Sequence, residues 1–255
     1  QLNFFSTPIR KGNVFYFVRK SISNFAHLLN FKCAKVTSCK RMSSNPIILP
    51  PYINVTRKKA EIITLDVTEL AGRISKKNLN AFKPGKSDLR AKQLAASDWI
   101  VKNRINNTSY IERDAQGKPY LSSADHHISI SHTQNILSLI HHNQVEVSID
   151  IEFYDRNVLK IMNRFTDNEE LSVLEIANLS NPLIVIWSIK ECLFKILGRQ
   201  GVHFLTDLRI LSCTISDLTI KTICTVKHHD IELRYMVNSM IFDPILVSYI
   251  DESPF

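Results

Sequence analysis

Residues 145–152 constrain the fold more than any other stretch of the chain. Val145, Val147, Ile149 and Ile151 alternate there with Glu146, Ser148, Asp150 and Glu152. A period of two belongs to a β-strand, whose successive side chains point to opposite faces, and it predicts one apolar and one polar face. Asp150 and Glu152, two apart, lie together on the polar one. Farther on, Asn181-Pro182 offers an N-cap followed by proline at the first helical position. The predicted helix carries Trp187-Ser188-Ile189-Lys190-Glu191-Cys192-Leu193-Phe194-Lys195, runs to Leu197 and stops at Gly198. Glu191 and Lys195 are one turn apart on it and share a face.

The remaining pattern mixes both kinds of element. Ser87 can cap a helix reaching Asn103, with Leu89, Leu94, Ile100 and Val101 as a partial apolar face. Gly117-Lys118-Pro119 reads as a turn before a strand. His127–Thr133 and Ile136–His141, joined by Gln134-Asn135, read as a hairpin. Thr166-Asp167-Asn168-Glu169 has the form of a capping box, with Leu171 and Leu174 behind it at helical spacing. From Thr219 to Ile250, three strand-like runs are separated by His228-His229-Asp230 and Phe242-Asp243-Pro244. Strands and helices without regular βαβ alternation predict an α+β fold.

Charge divides the chain. The net charge is +8, but residues 1–41 hold eight basic residues and no Asp or Glu. Removing those eight from the 32 basic residues leaves 24, against 24 acidic, so residues 42–255 are neutral. A nucleic-acid-binding domain would carry a basic face on its folded body, which argues against such a partner. Residues 1–44 form a basic leader, expected to be disordered. It has the composition of an organellar transit peptide, or it is non-native sequence upstream of a start at Met42. Ser44-Asn45-Pro46 and Pro50-Pro51 mark the entry to the folded body. The hydrophobic fraction of 44% supports a substantial core, and no apolar run of eighteen residues suggests a membrane span. Five cysteines without a C-x-x-C pair fit a reducing compartment, hence a cytoplasmic location, or an organellar one if the leader is genuine.

Carboxylate oxygens suit magnesium, which keeps several waters and shares itself with substrate phosphates. Asp150 and Glu152, with Glu191 as a third oxygen and Lys195 beside it, therefore form a candidate magnesium and phosphate site. Separately, Glu191 and Lys195 read as an exposed i,i+4 ion pair, and Asp150 and Glu152 as an exposed strand face. Together they point to chemistry. Cys192, beside Leu193 and Phe194, reads as a small buried residue rather than a nucleophile. Trp187 reads as packing beneath the site.

These segments resemble the two signatures of the 4′-phosphopantetheinyl transferases, a Gly-x-Asp-x-Glu strand and a Trp-x-x-Lys-Glu-x-x-x-Lys helix. Arg164-Phe165 and Glu169-Glu170 are similar to the family's intervening segment. Gly117-Lys118-Pro119-Tyr120-Leu121 and Ile130-Ser131-His132-Thr133 are similar to its two earlier motifs, all in family order over residues 87–200. The resemblance implies an enzyme of the holo-[acyl-carrier-protein] synthase type. It would move the 4′-phosphopantetheine arm of coenzyme A onto a serine of an apo acyl or peptidyl carrier protein and release adenosine 3′,5′-bisphosphate. It further implies Asp150, Glu152 and Glu191 as Mg²⁺ ligands, Glu191 as the base and Lys195 as neutraliser of phosphate charge. Ser131 and His132 would contact the nucleotide phosphates, with Lys118 and Pro119 beside the adenine. Arg90 and Lys92 resemble positions for the 3′-phosphate, although Ser97 falls where an arginine is frequent. By the same resemblance the chain is a monomer of two similar α+β halves in a pseudo-twofold arrangement, residues 45–143 and 144–255, with the site between them.

One departure stands out, because Ser148 occupies the position of the signature glycine and shares the face of Asp150. A catalytically degenerate relative that binds coenzyme A or a carrier without transfer is one rival reading, supported by Ser148 and Ser97. A metal-dependent nuclease is another, opposed by the neutral body and by the Glu191/Lys195 spacing.

Overall fold

A computed structural model describes residues 9–11, 14–16, 53–57, 60–72, 74, 76–82, 84–175, 178–198, 201–216, 219–228 and 231–255. The Ser44–Pro46 and Pro50-Pro51 punctuation, His229-Asp230 of the first separator between the terminal strands and most of the basic leader lie outside them. Within the leader, β1 (Ile9–Lys11) and β2 (Val14–Tyr16) pair as a short hairpin.

Two antiparallel sheets organise the body. The first contains β3 (Ile53–Arg57) and β4 (Ala60–Asp66), followed by the short helices α1 (Val67–Ala71) and α2 (Lys76–Ala81). After α3 (Asp88–Ile100) and a small hairpin of β5 (Ile111–Arg113) and β6 (Pro119–Leu121), the chain returns as β7 (His127–Thr133) and β8 (Ile136–His142). The order is β3-β4-β8-β7. The second sheet contains β9 (Ser148–Phe153), β10 (Leu208–Ser216), β11 (Thr219–His228), β12 (Ile231–Phe242) and β13 (Ile245–Ile250) in the order β10-β11-β12-β13-β9. Helices α4 (Asn168–Glu175) and α5 (Pro182–Ile196) intervene between β9 and β10. The expected α+β class, the β7–β8 hairpin, the α5 helix and the three terminal strands are all present.

Alternation explains the layering. In β4 and β8, Ile63, Leu65, Leu137 and Leu139 face one way, into a core with Ala96 and Ile100 of α3. Ala60, Ile62 and Ile140 face the other way and meet Val147 before β9, Ile149 and Ile151 of β9, and Val247 and Tyr249 of β13. The opposite face of the second sheet packs under α5 through Ile189, Leu193, Leu246 and Ile250. Helix, sheet, sheet and helix thus stack as four layers, each buried aliphatic side chain contributing about 1.5–3 kcal/mol.

Several local expectations need correction. The polar side of β9 is not a solvated face: Ser148, Asp150 and Glu152 are all buried, because α5 covers them. α3 buries Ala91, Ala95 and Ala96 rather than Leu89, which is exposed, and its last turns widen into a π-helical turn at Val101–Ile105. Small side chains let the helix approach the sheet closely. Thr166 does not cap α4; Asp167 does, its Oδ1 accepting from Glu170 N at 3.1 Å, because Arg209 holds the Asp167 carboxylate in place. Asn181 also makes no cap bond; its amide donates to Tyr154 O at 2.7 Å instead, tying α5 to the end of β9.

One unforeseen ion pair fixes the second half. Glu170 of α4 and Lys190 of α5 are both fully buried, with Lys190 Nζ 2.7 Å from Glu170 Oε2. Lys190 also donates to Phe204 O, and Glu170 Oε1 accepts from Ile210 N. Burial pushes the Lys190 amine below its ordinary value, even with the Glu170 charge against it. Lys190→Met strands a buried carboxylate and is expected to lower unfolding free energy in urea by about 3–5 kcal/mol. Adding Glu170→Gln, which keeps the acceptor for Ile210 N, should recover part of that loss.

Candidate active site

The site lies where β7 of the first sheet meets β9 and α5 of the second. As the outer strand of its sheet, β9 leaves backbone groups without a strand partner. Serine hydroxyls of β7 serve them: Ile149 N donates to Ser129 Oγ at 3.2 Å and Ile151 N to Ser131 Oγ at 3.3 Å. Ser131 in turn donates to Asp150 Oδ1 at 3.0 Å. Lys195 reaches in from α5, its Nζ 2.8 Å from Asp150 Oδ1, 3.0 Å from Ser131 Oγ and 2.9 Å from Ile149 O. All three ammonium hydrogens have acceptors, and the Ser131 hydroxyl uses its one donor and both lone pairs.

Glu152 is held differently. Its Oε1 accepts from the Trp187 indole at 3.0 Å and from Arg156 Nη1. Trp187 sits edge-on to Phe165 and stacks on Phe204, so the indole is fixed by packing as expected, but it also bonds a site carboxylate. Each carboxylate consequently has one saturated oxygen and one bare one: Asp150 Oδ2 and Glu152 Oε2 are buried with no hydrogen-bond partner. Buried orphan carboxylate oxygens are rare and costly, and a cation is a natural complement to them. The donor set, two strand carboxylates on one face, fits a hard divalent ion. Among the described residues, however, no three His, Cys, Asp or Glu side chains gather closely enough to hold a metal by themselves. Glu191 is half-buried on α5, one turn before Lys195.

Electrostatics follow from this packing. Burial, and then the neighbouring Asp150 charge, raise the Glu152 carboxyl above its ordinary range, with Arg156 and Trp187 opposing. Burial disfavours the Lys195 ammonium, but the Asp150 charge outweighs it and the amine is held above its usual value. Cys192 is inert as expected: burial drives its thiol well up, and its Sγ lies 3.0 Å from Ser248 O. Ser148 is fully buried, with its hydroxyl beside that thiol.

The remaining predicted residues gather around this centre. Lys118 and Pro119 line a narrow cleft together with Ser129, Val147 and Lys195. Lys118 pairs with Glu146 at 2.9 Å and approaches Ile196 O, at the negative end of α5. His132 faces the α3 side, its Nε2 2.8 Å from Arg90 Nη1. Lys92 instead pairs with Asp88 along α3, and Ser97 is buried with its hydroxyl on Gln93 O. Arg156 went unnoticed in the sequence, where only its i+4 spacing from Glu152 pointed to it.

Burial, and next the charges of Arg90 and Lys195, keep the His132 imidazole below its ordinary value. NMR titration should therefore give His132 a pKa under 6.5, and Arg90→Ala should raise it.

The comparisons agree with the geometry. Residues 146–239 match the model of the 4′-phosphopantetheinyl transferase superfamily, a span that contains Asp150, Glu152, Trp187, Glu191 and Lys195. No curated protein matches the chain. The matched stretch, β9 through most of β12 with α4, α5 and the carboxylates and lysine they carry, is thus similar to a domain of the 4′-phosphopantetheinyl transferase superfamily.

Proposed function

We propose that this protein transfers the 4′-phosphopantetheine arm of coenzyme A to the serine of an apo acyl or peptidyl carrier protein, as a holo-[acyl-carrier-protein] synthase type enzyme. The observation that carries the reading is the pair of bare, buried carboxylate oxygens on Asp150 and Glu152, set beside the fully bonded Lys195. Asp150 and Glu152 would hold Mg²⁺, with Glu191 as the third protein oxygen by family resemblance. Magnesium commonly takes one or two carboxylates and completes its shell with water and phosphate oxygens, so a full protein cage is not required. When bound, the ion neutralises charge building on the pyrophosphate.

The chain's own groups do the rest. Lys195 holds positive charge beside the transferring phosphate. Glu191 takes the proton of the carrier serine, directly or through water. The serine oxygen then bonds to the β-phosphorus of coenzyme A as the bond to adenosine 3′,5′-bisphosphate breaks. Ser131 and His132 bind nucleotide phosphates, and Lys118 and Pro119 flank the adenine end of the cleft. Arg90, poised beside His132, fits the 3′-phosphate better than Lys92, whose charge is already paired. By the family resemblance, the reading extends to a monomer of two related halves acting in the cytoplasm. No helix among the described residues is long and apolar enough to cross a membrane.

Incubated with Mg²⁺, coenzyme A and an apo carrier, the protein should add one phosphopantetheine to the carrier by mass spectrometry. Glu191→Gln should reduce transfer by about 10²-fold or more, as loss of a general base does, with an unchanged melting curve. Absence of any mass gain over a panel of carriers would refute the transferase reading in favour of a binding-only relative.

A further inference from the structure

Arg156 has no role in the reading above, yet it stands over the site. After β9 the chain turns back, with Tyr154 N donating to Pro244 O and Arg156 N to Phe153 O. The turn swings the Arg156 side chain over α5, its guanidinium carbon 5.9 Å from the Trp187 ring centroid. From there Nη1 donates to Glu152 Oε1, the same oxygen that accepts the Trp187 indole. Two donors from different elements therefore converge on one oxygen of a buried carboxylate and leave the other bare.

We propose that Arg156 is a positioning residue for the divalent cation: with Trp187 it locks the Glu152 carboxylate so that Oε2 is the oxygen presented. The inference rests on the proposed Mg²⁺-dependent transfer. A free carboxylate interchanges its oxygens by rotation about the last torsion. Tying Oε1 from two directions removes that freedom before the ion arrives, which is how outer partners raise the affinity of a ligand. A planar guanidinium suits the task because it stacks on the indole and donates in its own plane, which an ammonium cannot do. Repulsion between Arg156 and the ion is the opposing term. The Arg156 side chain is 46% exposed, so water and salt screen that repulsion, whereas the orienting bond to buried Glu152 is not screened. Orientation wins.

The test uses Trp187 as reporter in a Trp99→Phe background, these being the two tryptophans of the chain. Mg²⁺ is titrated in the presence of coenzyme A while indole fluorescence is followed, and the Mg²⁺ dependence of transfer is measured in parallel. Arg156→Ala should raise the Mg²⁺ midpoint about 10-fold or more in both measurements, the usual cost of losing such a partner. Its kcat at saturating Mg²⁺ should stay near that of the parent. Arg156→Lys, which can still donate to Glu152, should recover part of the shift. An unchanged midpoint in a folded Arg156→Ala variant, with the parent active, overturns this proposal alone. So does a change confined to the KM for the carrier, which would move Arg156 to the docking surface. A parent that neither responds to Mg²⁺ nor transfers overturns the function and the positioning role together.

Discussion

The Lys195 ammonium is the point on which the rest of the structure depends. Its three hydrogens go to Asp150, Ser131 and the Ile149 carbonyl, one from each kind of partner the junction contains: a site carboxylate, the first sheet and the edge of the second. An edge strand with unserved backbone groups cannot be buried without new partners. Lys195 serves the carbonyl of β9, and Ser129 and Ser131 serve its amides. The bonds that dock the two sheets are therefore also the bonds that orient the chemistry. A substitution at Ser131 or Lys195 would disturb both, which ties the geometry of the site to the integrity of the fold.

The two carboxylates show how this fold orients buried acids while leaving one oxygen of each bare. Burial, and then its neighbour Asp150, make the charged form of Glu152 unfavourable. The protein answers with donors on one oxygen of each group only. Lys195 and Ser131 take Oδ1 of Asp150, and Trp187 and Arg156 take Oε1 of Glu152. Saturating all four oxygens would stabilise the empty fold further but would leave nothing for a ligand. Half-saturation keeps the groups oriented and still in need of positive charge, and unmet electrostatic demand of this kind concentrates at functional sites.

What could be read in the sequence depended on range. The β9 alternation, the Pro182 start and Gly198 end of α5, and the β7–β8 hairpin are local signals, and each appears at its expected place. Burial of the polar face of β9 was not legible, because covering it takes a helix more than thirty residues away. β4 was not legible for a related reason: the run Ala60–Asp66 is buried on both faces, so it lacks the alternation that marks a half-exposed strand. The cap of α4 shifted from Thr166 to Asp167 because Arg209, forty residues on, holds that carboxylate. Glu170–Lys190 and Arg156–Glu152 needed coordinates, since nothing in composition separates a buried ion pair from a solvated one. The inert Cys192 was legible because Leu193 and Phe194 follow it in sequence, as apolar side chains surround it in space.

The helical signature itself divides its labour by angle. At 100° per residue, Trp187, Glu191 and Lys195 fall on one stripe about 40° apart, while Lys190 stands about 140° from Lys195. The stripe lies along β9 in a definite sense, Trp187 bonded to Glu152 and Lys195 to Asp150. Two turns of helix rise about 12 Å between Trp187 and Lys195, and two strand residues advance about 6.8 Å between Asp150 and Glu152. Long side chains at both ends lean inward to close the difference, and Glu191 occupies the middle of the stripe, one turn from each end. Lys190, turned away, is free to bury itself against Glu170 and pin the opposite side of α5 to α4 and the loop at Phe204. Two lysines five residues apart thus have unrelated duties, one holding the helix and one holding the site. Exchanging their spacing from five to four would put both on the same face and leave either Glu170 or Asp150 without its cation.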